Sequence, residues 1–257
     1  MTFVFLSYTA LCAGAVHKSL LRDGFVLTGI DGKLTGANNK WFFKFDSAVS
    51  DDGRLLKAGS NIELLPSAAL EKMGADMEKH SAATYRLWGR VTKYKGRNFI
   101  FPIYFLPISK TSEPQSLTSQ KSQQQETKPT INEPNDALAM PQEIIEKLKT
   151  RKIVRMAQLR KGLELETDCI LADRTGFIIK QNEGGLGFTL DALGRNAGQL
   201  SLRLLPCQTL EQAQRKQSAE PDPLRFKAAG IVTKYRGQYY LLLQRAIRVY
   251  SHANFTR

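Results

Sequence analysis

Hydrolytic and group-transfer chemistry needs a nucleophile beside a base, paired carboxylates, or a cluster of metal ligands, and each leaves a recognisable spacing. His17, His80 and His252 stand far apart, and none sits in a metal-ligand spacing. The chain has no phosphate loop, HExxH helix, GxSxG elbow or CxxC pair. The sequence therefore nominates no catalytic residue, metal ligand or cofactor, and a non-enzymatic binding protein is expected. What it does carry is a basic, aromatic hexapeptide written twice, VTKYKG at 91–96 and VTKYRG at 232–237. Lys93, Tyr94, Lys95 and Arg97 in the first copy, and Lys234, Tyr235 and Arg236 in the second, set cations beside aromatic rings. That combination clamps phosphates and stacks on bases or sugars. A plainer account also fits, in which each copy is a β-hairpin tip whose glycine supplies a positive φ and whose tyrosine packs on the fold.

Other residues recur between the halves with weaker chemical meaning. Asp46 and Asp191 each follow an apolar strand-like run and read as turn-capping carboxylates. Glu71 and Glu211 fall in the first turn of an expected helix, where the helix dipole favours an acid. Cys169 and Cys207 both lie in the second half, as a disulfide in an oxidising compartment or as two buried thiols.

The hexapeptides belong to a longer repeat. FFKFD (42–46) matches GFTLD (187–191), IELLPSAALE (62–71) matches LRLLPCQTLE (202–211), and YRLWGRVTKYKGRNFIF (85–101) matches FKAAGIVTKYRGQYYLL (226–242). Collinear matches in one order indicate a tandem duplication of one domain. In the first copy GFVLTGI (24–30) reads as a strand turning at Asp31-Gly32, KWFFKFD (40–46) as an aromatic strand, 47–60 as a polar loop and NIELLP (61–66) as a third strand. Residues 67–79 read as a helix with Ser67 as N-cap and Leu70, Met73 and Met77 on one face. Residues 85–94 and 97–105 form a closing hairpin. The order β-β-β-α-β-β is that of the five-stranded OB barrel, so the expected architecture is mainly β, with two tandem OB-like barrels over 21–108 and 163–251. No βαβ rhythm or glycine fingerprint occurs, which excludes a dinucleotide-binding fold.

The combination of D-G-F-V-L, then LLP and a short helix, then G-x-V-T-x-Y-x-G-R-N-F/Y resembles a family of uncharacterised exported bacterial proteins built on a repeated small β domain. The resemblance covers most of both halves but not the segment between them, and it implies no activity. Where that family's hairpin reads Y-x-G-R-N-Y-L-L, the second copy here has Gln238 in place of Arg97.

Residues 1–16 read as a signal peptide ending at Ala13-Gly14-Ala15, although no cation precedes Lys18. They imply a periplasmic or other extracytoplasmic location, and the alternative is a cytoplasmic protein in which the segment is a buried strand. Residues 109–140 are a Ser/Gln/Thr/Pro-rich linker too poor in apolar groups to fold. Residues 141–162 read as a basic amphipathic helix, suited either to packing on the second barrel or to peripheral contact with an anionic membrane. The net charge of +13 divides as +1 on 1–20, +4 on 21–107, −1 on 108–141, +5 on 142–162 and +4 on 163–257. This modest, spread excess suits an anionic envelope partner such as a polysaccharide, a lipid head group or a protein, with nucleic acid as the alternative.

Overall fold

The computed structural model describes residues 20–79, 84–108, 152–155, 168–182, 184–191 and 200–250. The expected signal peptide and linker lie outside these residues, as does most of the basic connector.

The first half contains β1 (Val26–Ala37), β2 (Lys40–Phe45), β3 (Val49–Asp51), β4 (Arg54–Leu56), β5 (Asn61–Leu64), α1 (Ala68–Lys79), β6 (Thr84–Tyr94) and β7 (Arg97–Ile108). The second contains β8 (Cys169–Lys180), β9 (Leu186–Leu190), β10 (Ser201–Leu204), α2 (Gln208–Ser218), β11 (Arg225–Tyr235) and β12 (Gln238–Arg248). Five strands of each half close into a barrel, in the order β1-β2-β5-β7-β6 and β9-β10-β12-β11-β8. The third and fifth barrel strands run parallel, β5 with β7 and β10 with β12, and the other pairs are antiparallel. Each helix connects the third barrel strand to the fourth. These are two tandem OB-like barrels, as the repeat and element order lead one to expect.

Alternation along the strands builds the cores. In β6, Tyr85, Leu87 and Val91 are fully buried while Arg86, Trp88 and Arg90 lie outside. Ser67 Oγ accepts the N–H of Leu70 at 3.0 Å and starts α1, and Leu70 and Met73 bury the helix face below it. In the second barrel Cys207 takes the place of Ser67. Its sulfur accepts the Leu210 N–H and donates to the carbonyl of Leu243, both at 3.4 Å.

Three local expectations need correction. The Asp31-Gly32 pair is not a turn but lies inside the long strand β1, and the reversal falls at Asn38-Asn39, both with positive φ. Gly32 is required for closeness, since a Cβ there would stand 2.4 Å from the Lys44 carbonyl oxygen; Gly176 is its counterpart, 2.2 Å from that of Thr189. The polar loop 47–60 contains the β3–β4 hairpin, turning at Asp52-Gly53. It carries a buried carboxylate, Asp51, which accepts the backbone N–H and guanidinium of Arg22, both at 2.7 Å. Lastly, the described part of the connector, 152–155, is extended and not helical. Ile153 bridges Ile170 in parallel, with Val154 buried against barrel 2.

Cys169 and Cys207 are both buried as thiols. Burial pushes the Cys207 thiol up to about 11 and also raises that of Cys169.

Candidate binding site

The repeated hexapeptides form two hairpin tips with the same turn. Lys95-Gly96 and Arg236-Gly237 all have positive φ, the geometry of a tight two-residue reversal, so Lys95 sits in the turn and not in line with Lys93 along the strand. The tips do not project freely. Each docks on the other barrel at the junction between its third strand and its helix.

From the first tip, Thr92 donates its hydroxyl to the Pro206 carbonyl at 2.9 Å, and Tyr94 donates to Gln214 Oε1 at 2.7 Å. The Lys95 N–H donates to Glu211 Oε2 at 2.8 Å. From the second, Thr233 Oγ1 accepts the Ala68 N–H at 2.9 Å, and the Tyr235 hydroxyl accepts the Trp41 indole N–H at 3.0 Å. Arg236 donates to Asn39 Oδ1 at 2.6 Å. Thr92 and Thr233 are buried. The arrangement is reciprocal, VTKY of each barrel meeting the LLP–helix junction of the other. Asp23 adds a bridge, accepting the Lys93 N–H at 2.8 Å and the Gln208 N–H at 3.4 Å.

Apolar burial seals the contact. Phe99 and Phe101 leave barrel 1 to join the core of barrel 2, while Tyr235 and Tyr240 pack against the core of barrel 1. Removing each of these phenylalanine side chains from water stabilises by roughly 1.5–3 kcal/mol. Glu211 has a role beyond the helix dipole. The Lys95 N–H, and after it the Arg215 guanidinium at 2.5 Å, hold its carboxyl below the usual range despite partial burial.

The remaining nominated cations divide. Lys95 lies over the Tyr94 ring, Arg236 over Tyr235 and Lys234 over Tyr239, at 5.3, 5.3 and 5.8 Å. Arg97 stacks on Phe99 at 5.3 Å and reaches Glu63 Oε2 at 3.5 Å. Asp191, read as a capping residue, accepts from Thr175 at 2.7 Å and pairs with Arg225. Burial would raise its carboxyl, but these bonds outweigh that and lower it. Its repeat partner Asp46 differs, and Asp31 takes the ion pair in barrel 1, with Arg86 at 2.7 Å.

A second basic–aromatic arrangement is visible only in three dimensions. On β1, β2 and β5 the inward residues Leu34, Phe43, Phe45, Ile62 and Leu64 are buried. The outward set is therefore Lys33 and Thr35, then Lys40, Phe42 and Lys44, then Asn61 and Glu63. Lys33 and Lys44 are direct cross-strand partners, and Phe42 lies between Thr35 and Glu63. Lys40 and Arg97 share the Glu63 carboxylate, at 2.9 and 3.5 Å. Lys33 and Lys44 form no ion pair among the described residues. Like charges directly opposite each other are unfavourable in isolation, so this surface attracts anions. The signal was present in KLTGANNKWFFKF (33–45), but it emerges only once the turn is placed at Asn38-Asn39.

The corresponding surface of barrel 2 lacks the lysine pair, with Phe177 and Thr189 where barrel 1 has Lys33 and Lys44, Gly187 in place of Phe42 and Arg203 in place of Glu63. Gln181 donates to Ser201 Oγ at 3.2 Å, and Thr189 to the same oxygen at 3.4 Å, over Gly187. Among the described residues no group of His, Cys, Asp and Glu could hold a metal ion, and no helix is long and apolar enough to cross a membrane.

No family model matches the chain, and no curated protein matches it. Among solved structures it is similar to a deletion mutant of the single-stranded DNA binding protein from Thermus aquaticus, at 10% identity. That match covers 89% of this chain and 96% of the other, with a TM-score of 0.22. A likeness that loose says nothing about what this chain binds. What the structure does establish is a pair of OB-like barrels held together by their own repeated hairpins.

Proposed function

We propose that this is a non-enzymatic binding protein that holds an anionic, chain-like partner on the β1–β2–β5 face of barrel 1, while barrel 2 acts as its fixed companion. The observation that supports this is the cross-strand Lys33–Lys44 couple, which has no ion-pair partner among the described residues, beside Phe42 and flanked by Lys40 and Arg97. Cations spaced along a strand match repeating negative charge, and a half-exposed ring between them offers a stacking surface. Barrels of this type take oligonucleotides and oligosaccharides on this face. The tyrosines of the hexapeptides support the reading differently from what their composition suggests, because they hold the two barrels together and leave the lysine face outward.

The test is a titration of the full chain with a mixed single-stranded oligonucleotide and, separately, with an anionic polysaccharide, across a salt series. With three phosphates neutralised, oligonucleotide affinity should fall about 20-fold between roughly 50 and 200 mM salt. Lys33→Glu with Lys44→Glu should abolish binding and leave thermal stability intact. Absence of binding to either polymer at low salt, or binding indifferent to those substitutions, overturns the proposal.

A further inference from the structure

A closed barrel hides its strand edges, but a long first strand joins different neighbours along its length. In barrel 1, β6 pairs with β1 from Val26 onward, whereas β2 joins its other side only from Gly32. In barrel 2 the same holds, with β11 pairing from Cys169 and β9 only from Gly176. There the bare side of β8 is covered by the chain itself. The Ile170 N–H donates to the Lys152 carbonyl and its carbonyl accepts the Val154 N–H, both at 2.9 Å, in a parallel bridge. Val26 stands where Ile170 stands, opposite Arg90 as Ile170 is opposite Ile231. Among the described residues nothing covers it, and it is 50% exposed.

Uncovered edges normally carry a charge, a proline or a bulge as protection against pairing. Val26-Leu27-Thr28 has no charge and no proline, and its bulge comes only after Thr28. We propose that this edge is a docking site for an extended segment of a partner protein, laid parallel to β1 by strand addition. The chemistry of the segment is that of the one already seated on barrel 2, a β-branched pair between basic residues, as in Lys152-Ile153-Val154-Arg155. The site is separate from the lysine face and stands whether or not that face binds a polyanion.

The experiment uses the full chain and the synthetic peptide KTRKIVRMA, which copies residues 149–157. Binding is read by fluorescence anisotropy and located by amide hydrogen exchange. Saturable binding with protection at Val26–Thr28 is the expected result. Val26→Pro removes only the outward N–H and should weaken the peptide by about tenfold or more, the worth of one lost backbone bond. Thermal unfolding of that variant checks its fold, and hydrogen exchange on the unaltered chain keeps the proposal testable if the variant fails to fold. Protection at Ile170 and not at Val26 would mean exchange with the connector, and absence of binding would mean no site; either overturns the proposal. Binding that appears only after residues 1–19 are removed assigns the edge to the chain's own N-terminal segment, and a concentration-dependent dimer lost in Val26→Pro assigns it to a second copy. Both of those outcomes also overturn it.

Discussion

Replacing Thr233 by valine tests whether the hexapeptide is a docking element. The swap keeps the β-branched shape and deletes one oxygen. That oxygen accepts the N–H of Ala68, the first residue of α1, which has no partner inside its own helix. Thr233 is fully buried, so water cannot easily substitute. Leaving a buried donor unsatisfied costs about 1–3 kcal/mol. For a protein of this size that lowers the melting temperature by about 2–4 °C per kcal/mol. Thr92→Val breaks the reciprocal bond to the Pro206 carbonyl, and a carbonyl with a second lone pair loses less, so about 1 kcal/mol is expected. The assay is thermal and urea unfolding of both single variants and the double variant, followed by the polyanion titration of each. Lower stability with unchanged affinity is the expected pattern. If both valine variants unfold like the unaltered chain, or if they lose ligand while keeping stability, the docking account fails and the hexapeptides must be reconsidered as contact residues.

Three further outcomes follow from geometry. Glu211 has a folded-state pKa below its unfolded value of about 4.3, so its contribution is present above that pH and is lost as pH falls through the folded value. Exchange protection of the Lys95 amide should therefore decline below about pH 4, and Glu211→Gln should remove that acid dependence. Cys207 should resist alkylation in the folded chain at pH 8 and react after denaturation. Cys207→Ser should be nearly neutral because Ser67 does the same work in barrel 1, while Cys207→Ala should cost about 1 kcal/mol by chemical denaturation. Gly32→Ala and Gly176→Ala should each destabilise by more than about 3 kcal/mol or prevent folding, since the added carbon meets a backbone oxygen that cannot yield.

The barrels were legible in the sequence because both periodicities were clear, with alternation in 85–94 and 97–105 and the Ser67–Leu70–Met73 pattern of a capped helix. The turn of β1 was not, because Asp-Gly is a stronger local hairpin signal than Asn-Asn, and only closure of the barrel makes Gly32 a point of contact with Lys44. The connector departs from the expected helix at 152–155 for a related reason. Its basic, periodic residues favour a helix locally, but the bare backbone of Ile170 supplies two hydrogen bonds to an extended strand. The hexapeptides were found at once, yet their partners were not. Thr92 meets Pro206 and Thr233 meets Ala68 across more than a hundred residues of chain, and no local pattern connects them.

The reciprocal docking gives one chain the contact pattern of a two-fold dimer. In a true two-fold dimer any substitution appears twice, so a face cannot carry a lysine pair on one subunit and lack it on the other. Here the halves are free to differ. At the first-strand bulge, Gly29 lies under the Trp88 ring in barrel 1, while Asp173, also with positive φ, pairs with Arg245 in barrel 2. One chain can therefore present two different outer surfaces on two barrels that dock on each other in the same way.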